Sequence, residues 1–348
     1  MDVITKSLLD TKTSVIARNA EYAKRWAFYK GEMYTGDPGK QYAKDNKLFK
    51  KMREVFNCVT QTVDTDARFV MKQNLAFLCD DDRHTDLLKE IWEFSNVQAH
   101  KYKLVKFGGN LGDCYIEVRE LPEKPYARLI VLNSEDMTVH YNPHDQELAD
   151  SAIQSYTFWD QSKRRFRQWD RIWYPDRIET YIDHELVDEL SMPHNFGQVP
   201  VIQIKHLDIG EVYGLHTWHP IQHQVDAVNE LGSYVMEILY RYADPTMIVT
   251  GPSKPSKLVK GDGNIFYIGM EGDMKMLEYA GNVLPNAIEF IGKIKDDIYD
   301  TLPELSLGKI REIGQLSGYA VGLYMADFLA KVDEVRGNYA NGLEWANA

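Results

Sequence analysis

Hydrophobic and polar positions change their period twice along the chain. From Ser14 to Tyr29, Val15, Ile16, Ala20, Ala23, Ala27 and Phe28 recur at helical spacing. Gly31, Gly36, Pro38 and Gly39 break that pattern. Val59 to Phe77 and Thr85 to Phe107 predict two further helices, the second with Leu87, Leu88, Ile91, Trp92 and Phe94 on its apolar side. After Gly108, Gly109 and Gly112 the period shortens to about two. Strands are predicted at 114–118, 127–132, 137–141, 151–159, 165–174, 177–182 and 199–204. Turn pairs such as Asn142-Pro143 and Pro175-Asp176 separate some of them, which reads as one antiparallel meander.

The helical period then returns. Pro220 suits a first turn, and Val225, Val228, Val235, Ile238 and Tyr242 form a stripe that stops at Asp244-Pro245. A second long helix is predicted from Pro285 to Leu302. In it Ala287, Ile291, Ile294, Ile298 and Leu302 form a near-heptad seam suited to packing on another helix. Between the two lies 246–281, rich in Gly, Pro and Lys, with short strand candidates at 247–249, 265–268 and 274–279. A last helix is predicted from Tyr319 to Trp345. The segment between the long helices has too little apolar material to fold alone, and its strand edges invite pairing. A ring of copies, in which each projecting segment meets its neighbours, removes those edges.

Composition narrows the function. The 348 residues are 44% apolar and 26% charged, ordinary for a globular chain with a large core. Forty basic against 52 acidic residues give a net charge of −12, which argues against a surface built to grip nucleic acid. Cys58, Cys79 and Cys114 form no CxxC pair, so neither a disulfide framework nor a zinc knuckle is signalled. The first ten residues lack the apolar core of a signal peptide. The longest apolar run, Tyr319 to Ala330, is too short to cross a membrane. The default expectation is a soluble protein of a reducing compartment.

Few motifs carry chemistry. The run Gly108-Gly109-Asn110-Leu111-Gly112-Asp113 lacks a lysine and leads from helix into strand, so a tight turn is the better reading than a phosphate loop. His216, His219, His223 and Asp226 have spacings that place them near one helix face, a candidate metal set. Pro220 interrupts them and no HExxH glutamate is present, so a polar face at a subunit contact is preferred. No nucleophile sits in a recognisable elbow or dyad, and no catalytic residue or cofactor is assigned.

Several segments, in order, resemble the portal proteins (head–tail connectors) of tailed bacteriophages. Trp26 to Glu32 is similar to the family's aromatic-Tyr-x-Gly segment, and Asn57 to Val70 to the helix that follows it. Gly112-Asp113-Cys114-Tyr115 resembles the family's strand start. Val199-Pro200-Val201-Ile202, Tyr213-Gly214 and Asp226-Ala227-Val228-Asn229 resemble its approach to the first long helix, and Asp244-Pro245 that helix's end. Leu302-Pro303-Glu304 and Gln315 to Ala320 resemble the segments after the second. His216 stands where the family usually has a small residue.

The resemblance implies an α+β portal fold: a wing over 1–210, a first stem helix within 211–244, and a clip over 245–281. A second stem helix within 282–302, a tunnel loop over 303–318 and a C-terminal wing helix over 319–348 follow. The family's C-terminal crown is expected to be minimal or missing, since the chain stops at Ala348. It further implies a homo-oligomeric ring, usually of twelve copies, at a capsid vertex of the virion, assembled in the host cytoplasm. Double-stranded DNA would pass through the ring during packaging and ejection. The partners implied are the terminase large subunit, the major capsid and scaffolding proteins, and head-completion or tail adaptor proteins.

Within that frame Asp296, Asp297, Asp300 and Glu304 are candidates for an acidic channel wall. Lys293, Lys295, Lys309 and Arg311 are candidates for sparse phosphate contacts, and Leu305 and Leu307 for an apolar surface towards the DNA. Met247, Val249, Ile265, Tyr267 and Met276 are the candidate clip contacts. Two alternatives stand beside this reading: another ring-forming virion connector or adaptor, and a metal-dependent enzyme centred on His216, His219 and His223. No phosphate loop supports a packaging ATPase.

Overall fold

The computed structural model describes residues 3–34, 55–72, 74–76, 81–124, 126–243, 247–250, 273–276, 283–305 and 318–348. Four helices come first: α1 (Val3–Lys30), α2 (Val59–Val70), α3 (Asp82–Phe94) and α4 (Val97–Leu111). The single helix expected over 85–107 is two. Asn96 takes a left-handed conformation (φ 52°) between them, and Ser95 Oγ accepts from Leu129 N at 2.9 Å. Along α1, Ile16 and Ala20 are exposed, contrary to the expected stripe. The helix buries Tyr22, Ala27 and Phe28 instead.

The strands are β1 (Asp113–Glu120), β2 (Ala127–Leu132), β3 (Met137–Asn142), β4 (Asp145–Asp160), β5 (Arg165–Trp173), β6 (Arg177–Ile182), β7 (Glu185–Leu186), β8 (Met192–Pro193) and β9 (Val201–Lys205). They form two sheets, not one meander. One is β2-β1-β9, with Tyr115 opposite Leu132 on one side and Gln203 on the other. The other is β3-β4-β5-β6-β7, with β8 on β6. Strand alternation sets the two cores. Cys114 and Ile116 of β1 face a core built from α2, α3, α4 and the C-terminal helix, while Tyr115 faces a core shared with Met137, Val139, Ala152 and Trp173 of the second sheet.

Then follow α5 (Gln222–Ala243), β10 (Met247–Thr250), β11 (Asp273–Met276), α6 (Val283–Thr301), α7 (Gly318–Tyr324) and α8 (Ala326–Asn347). The last predicted helix is thus two, separated at Met325. Helix α8 lies across the first sheet and closes its core with Phe328, Val332, Val335, Tyr339 and Leu343. Arg336 on α8 donates to Phe69 O and Val70 O, carbonyls that the end of α2 leaves without helical partners. Helices α5 and α6 pack on each other, and their inner faces join α1 and α2 in a third core. No helix among the described residues is long and apolar enough to cross a membrane.

Candidate functional site: the helix pair and its junction with the body

The seam predicted on the two long helices is where the structure packs them. Val225, Val228, Ile298 and Leu302 are buried to 1% exposure or less, Val235 and Ile291 to below a tenth, and Ala287 and Ile294 pack against them. Burial of each such side chain is worth about 2 kcal/mol at most against exposure. Ile238 is half-buried, and the side chain of Tyr242 lies outside the described residues. Asn229 fixes the pair to the body: its Oδ1 accepts from Val55 N (2.7 Å) and Phe56 N (2.9 Å), and its Nδ2 donates to Phe56 O (2.8 Å). Gly232 sits so close to Val55 that a Cβ there would stand 2.8 Å from it.

Outside the seam the pair exposes apolar side chains among charged ones such as Glu289, Lys293, Asp296 and Asp297. Tyr234, Leu239, Ile288 and Phe290 are each about half exposed. Beyond the pair, β10 and β11 form a two-stranded sheet whose only hydrogen-bonded strands, among the described residues, are each other. In the register Met247 lies opposite Met276 and Val249 opposite Met274. Two of the expected clip strands are therefore paired. Ile265 and Tyr267 lie outside the described residues.

The acidic candidates divide. Asp296, Asp297 and Asp300 lie on exposed positions of α6, and Lys293 pairs with Glu289 one turn away at 2.8 Å. Lys295 lies 5.0 Å over the Phe56 ring, against the body. Glu304 and Leu305 correct the expectation: both are 1% exposed and so do not face a channel from this chain. Leu305 belongs to the helix-pair core. The Glu304 carboxylate is held by Lys331 Nζ at 2.5 Å and by the Thr217 hydroxyl at 3.1 Å, and Lys331 also donates to Thr217 O. A buried carboxylate is tolerable only with such partners. Leu307, Lys309 and Arg311 lie outside the described residues.

The four metal candidates do not converge. His216 precedes the helix, 2% exposed, with its ring against Trp218, and burial holds its pKa well below the usual value. His219, in the 3-10 turn before α5, and His223 are exposed, while Asp226 faces Lys24 (3.4 Å) and the Tyr34 hydroxyl (3.0 Å). Among the described residues no three His, Cys, Asp or Glu side chains are grouped to hold a metal ion.

A junction that the sequence marked only as turns joins the body to the helix pair. Gly112 ends α4 with φ +104°, and a Cβ there would lie 2.1 Å from Gly214 O. His206 N donates to Gly112 O and Thr217 N to Gly109 O, at 2.8 and 3.0 Å. Asp113 is fully buried and accepts from Gly214 N (3.0 Å) and Gln203 Nε2 (2.7 Å). Burial lifts its pKa to about 6 against those stabilising bonds. Beneath it His206 Nε2 meets Asp66 at 2.8 Å, and its Nδ1 faces the Tyr339 hydroxyl at 3.1 Å. All three side chains are buried, and a Cβ on Gly108 would strike that hydroxyl at 2.0 Å.

A sequence model of the family described as "Phage portal protein, SPP1 Gp6-like" matches residues 14–299, well over half of the chain. The chain belongs to this family. By family it is a portal protein, a structural class. No curated protein sequence matches. Among solved structures it is similar to the "Neck of native GTA particle computed with C12 symmetry", with TM-score 0.38, 15% identity, 68% of this chain and 64% of that chain covered. It is also similar to the "Neck of empty GTA particle computed with C6 symmetry", with TM-score 0.37, 13% identity, 71% and 70% covered. The chain thus spans somewhat less than two thirds of the first of these.

Two segments that resemble the portal family, Gly112 to Tyr115 and Tyr213-Gly214, are distant in sequence and meet in space at the junction. A third, Leu302 to Glu304, arrives at the same place through Thr217. The sequence offered one missed signal for this: Lys331 falls between Phe328, Val332 and Val335, the inward stripe of α8.

Proposed function

We propose that copies of this portal protein close into a ring, usually of twelve in the family, at one capsid vertex, and that double-stranded DNA passes through the hole during packaging and ejection. Helices α5 and α6 form the stem and 245–281 the clip, where the packaging motor and then tail adaptors dock. Residues 1–210 with 319–348 form the wing, towards the capsid and scaffolding proteins. With Glu304 and Leu305 buried, the tunnel loop begins after them and runs to 318.

The observation that carries this reading is the set of large apolar side chains that the helix pair leaves about half exposed outside its seam, Leu239, Ile288 and Phe290. Ile288 and Phe290 flank the seam of α6 on opposite sides, and large apolar groups left exposed there call for a partner beyond the chain. Neighbouring copies in a closed rotation supply one for every subunit. The net charge of −12 supports a passage over a grip, because duplex DNA carries one negative charge per about 1.7 Å and dense cationic contacts would hold it. Asp296, Asp297 and Asp300 supply acidic groups on α6 for that wall.

Negative-stain images of the purified protein test the proposal. Closed rings with a central hole, seen down the axis, are expected, and particles of single-chain size throughout would overturn it. Replacing Lys309 and Arg311 with alanine should alter packaging and leave ring formation intact. Unchanged packaging would remove those two residues from any DNA role.

A further inference from the structure

The β4–β5 hairpin is longer than the sheet it belongs to. Strand β3 pairs with β4 only as far as Gln154, and β6 pairs with β5 only from Trp169 onward. Residues 157–168 therefore extend as a two-stranded finger past their neighbours. A bare two-stranded ribbon is marginal in water, yet this one is braced. Asp160 accepts from the Ser162 hydroxyl (2.6 Å), Ser162 N (2.8 Å) and Lys163 N (3.0 Å), which fixes the turn. Arg167 bridges Asp160 and Asp183, and Arg165 also reaches Asp183. At the end of this stiff support, Trp159 and Phe166 stack edge to face at 5.0 Å and are 51% and 70% exposed. Lys163 and Arg164, exposed, stand in the turn beside them.

At the other end of β4 lies a groove of about 1090 Å³, between the two sheets and the end of α8. Its lips are apolar and exposed: Leu148, Val212 and Trp345. Its rim carries exposed acids, Glu147, Asp208 and Glu211. The finger is apolar and basic; the groove is apolar with a net acidic rim, Asp208 being paired there with Lys205 at 3.3 Å. The eleven residue steps along β4 from Leu148 to Trp159 separate them by roughly 36 Å at about 3.3 Å per residue, too far for one to fill the other within a chain.

We propose that the finger tip of one copy seats in the groove of the next, Trp159 and Phe166 against the apolar lips and Lys163 and Arg164 against the acidic rim. Complementary patches at opposite ends of one sheet make a head-to-tail contact, the kind that propagates around a ring. This rests on the ring reading above and adds a wing contact to that of the helix pair. The braced turn favours it, since little ordering remains to be done on docking.

The test places a photo-crosslinking benzoylphenylalanine at position 166 of the full chain and maps the adducts. Adducts in 138–149, 198–213 or 338–345 of a second copy are expected. Lys163→Glu with Arg164→Glu should cut their yield about tenfold, and adding Glu147→Arg with Glu211→Arg should restore it. Rings that form with adducts elsewhere on the chain, or on nucleic acid, overturn the finger contact and leave the ring standing. A protein that stays monomeric by native mass overturns both.

Discussion

The junction and the helix pair treat their surfaces in opposite ways. At the junction the arriving elements meet polar partners within the chain, although one oxygen of each of the Asp66 and Glu304 carboxylates accepts no hydrogen bond. Glu304 finds Lys331 and Thr217, Asp113 finds Gly214 and Gln203, and His206 finds Asp66 and Tyr339. Gly108, Gly112 and Gly214 there have no room for a Cβ. Along α5 and α6, by contrast, the seam is buried while Leu239, Ile288 and Phe290 stay about half exposed outside it. In the proposed ring the junction would position the helix pair, and the pair's exposed apolar side chains would meet other copies.

The largest expected effect breaks the junction. Gly112→Ala combines a positive φ with a Cβ 2.1 Å from a backbone oxygen. It should cost on the order of 3 kcal/mol or more in denaturant unfolding, and a loss under 1 kcal/mol would show that the crossing can relax. Lys331→Met leaves the Glu304 carboxylate buried without a cation. A loss of about 3 kcal/mol is expected, with much of it recovered by adding Glu304→Gln. If the double variant is as unstable as the single one, the pair is not coupled.

A subtler test uses acid. Burial raises Asp113 from 3.8 to about 6, so the folded chain holds this proton more firmly than the unfolded one. The stability it contributes is complete below 3.8 and is lost as pH rises through about 6. Asp113→Asn keeps an acceptor for Gly214 N and removes the titration. Its stability should fall less steeply over that window than the parent's; an identical slope would refute the assignment. The smallest effect on the single chain comes from the outer helix face. Ile288→Asp with Phe290→Asp should change subunit stability by no more than about 0.5 kcal/mol, because both side chains are already exposed, while it abolishes assembly.

The legible parts of the chain were those whose pattern is local. The 127–132 and 177–182 strands and the seam of α6 stand where period two and the near-heptad placed them. What escaped was set by distant partners. Strand 201–205 returns to pair with 113–117, some ninety residues back, and splits the expected meander into two sheets. Helix breaks at Asn96 and Met325 carry neither Pro nor Gly. Glu304 read as channel-facing because it is charged, and its partner lies 27 residues later on another helix. The groove and finger left no motif at all, since a groove is made by elements that meet and a finger by neighbours that stop short.

Mass measurement under native conditions, across a wide concentration range, tests the central claim most directly when the parent and the Ile288→Asp, Phe290→Asp variant are run together. The parent should appear as one closed multiple of the 40.2 kDa chain and the folded variant as the single chain. A parent that is monomeric at every concentration, or a variant that assembles as well as the parent, would contradict the account.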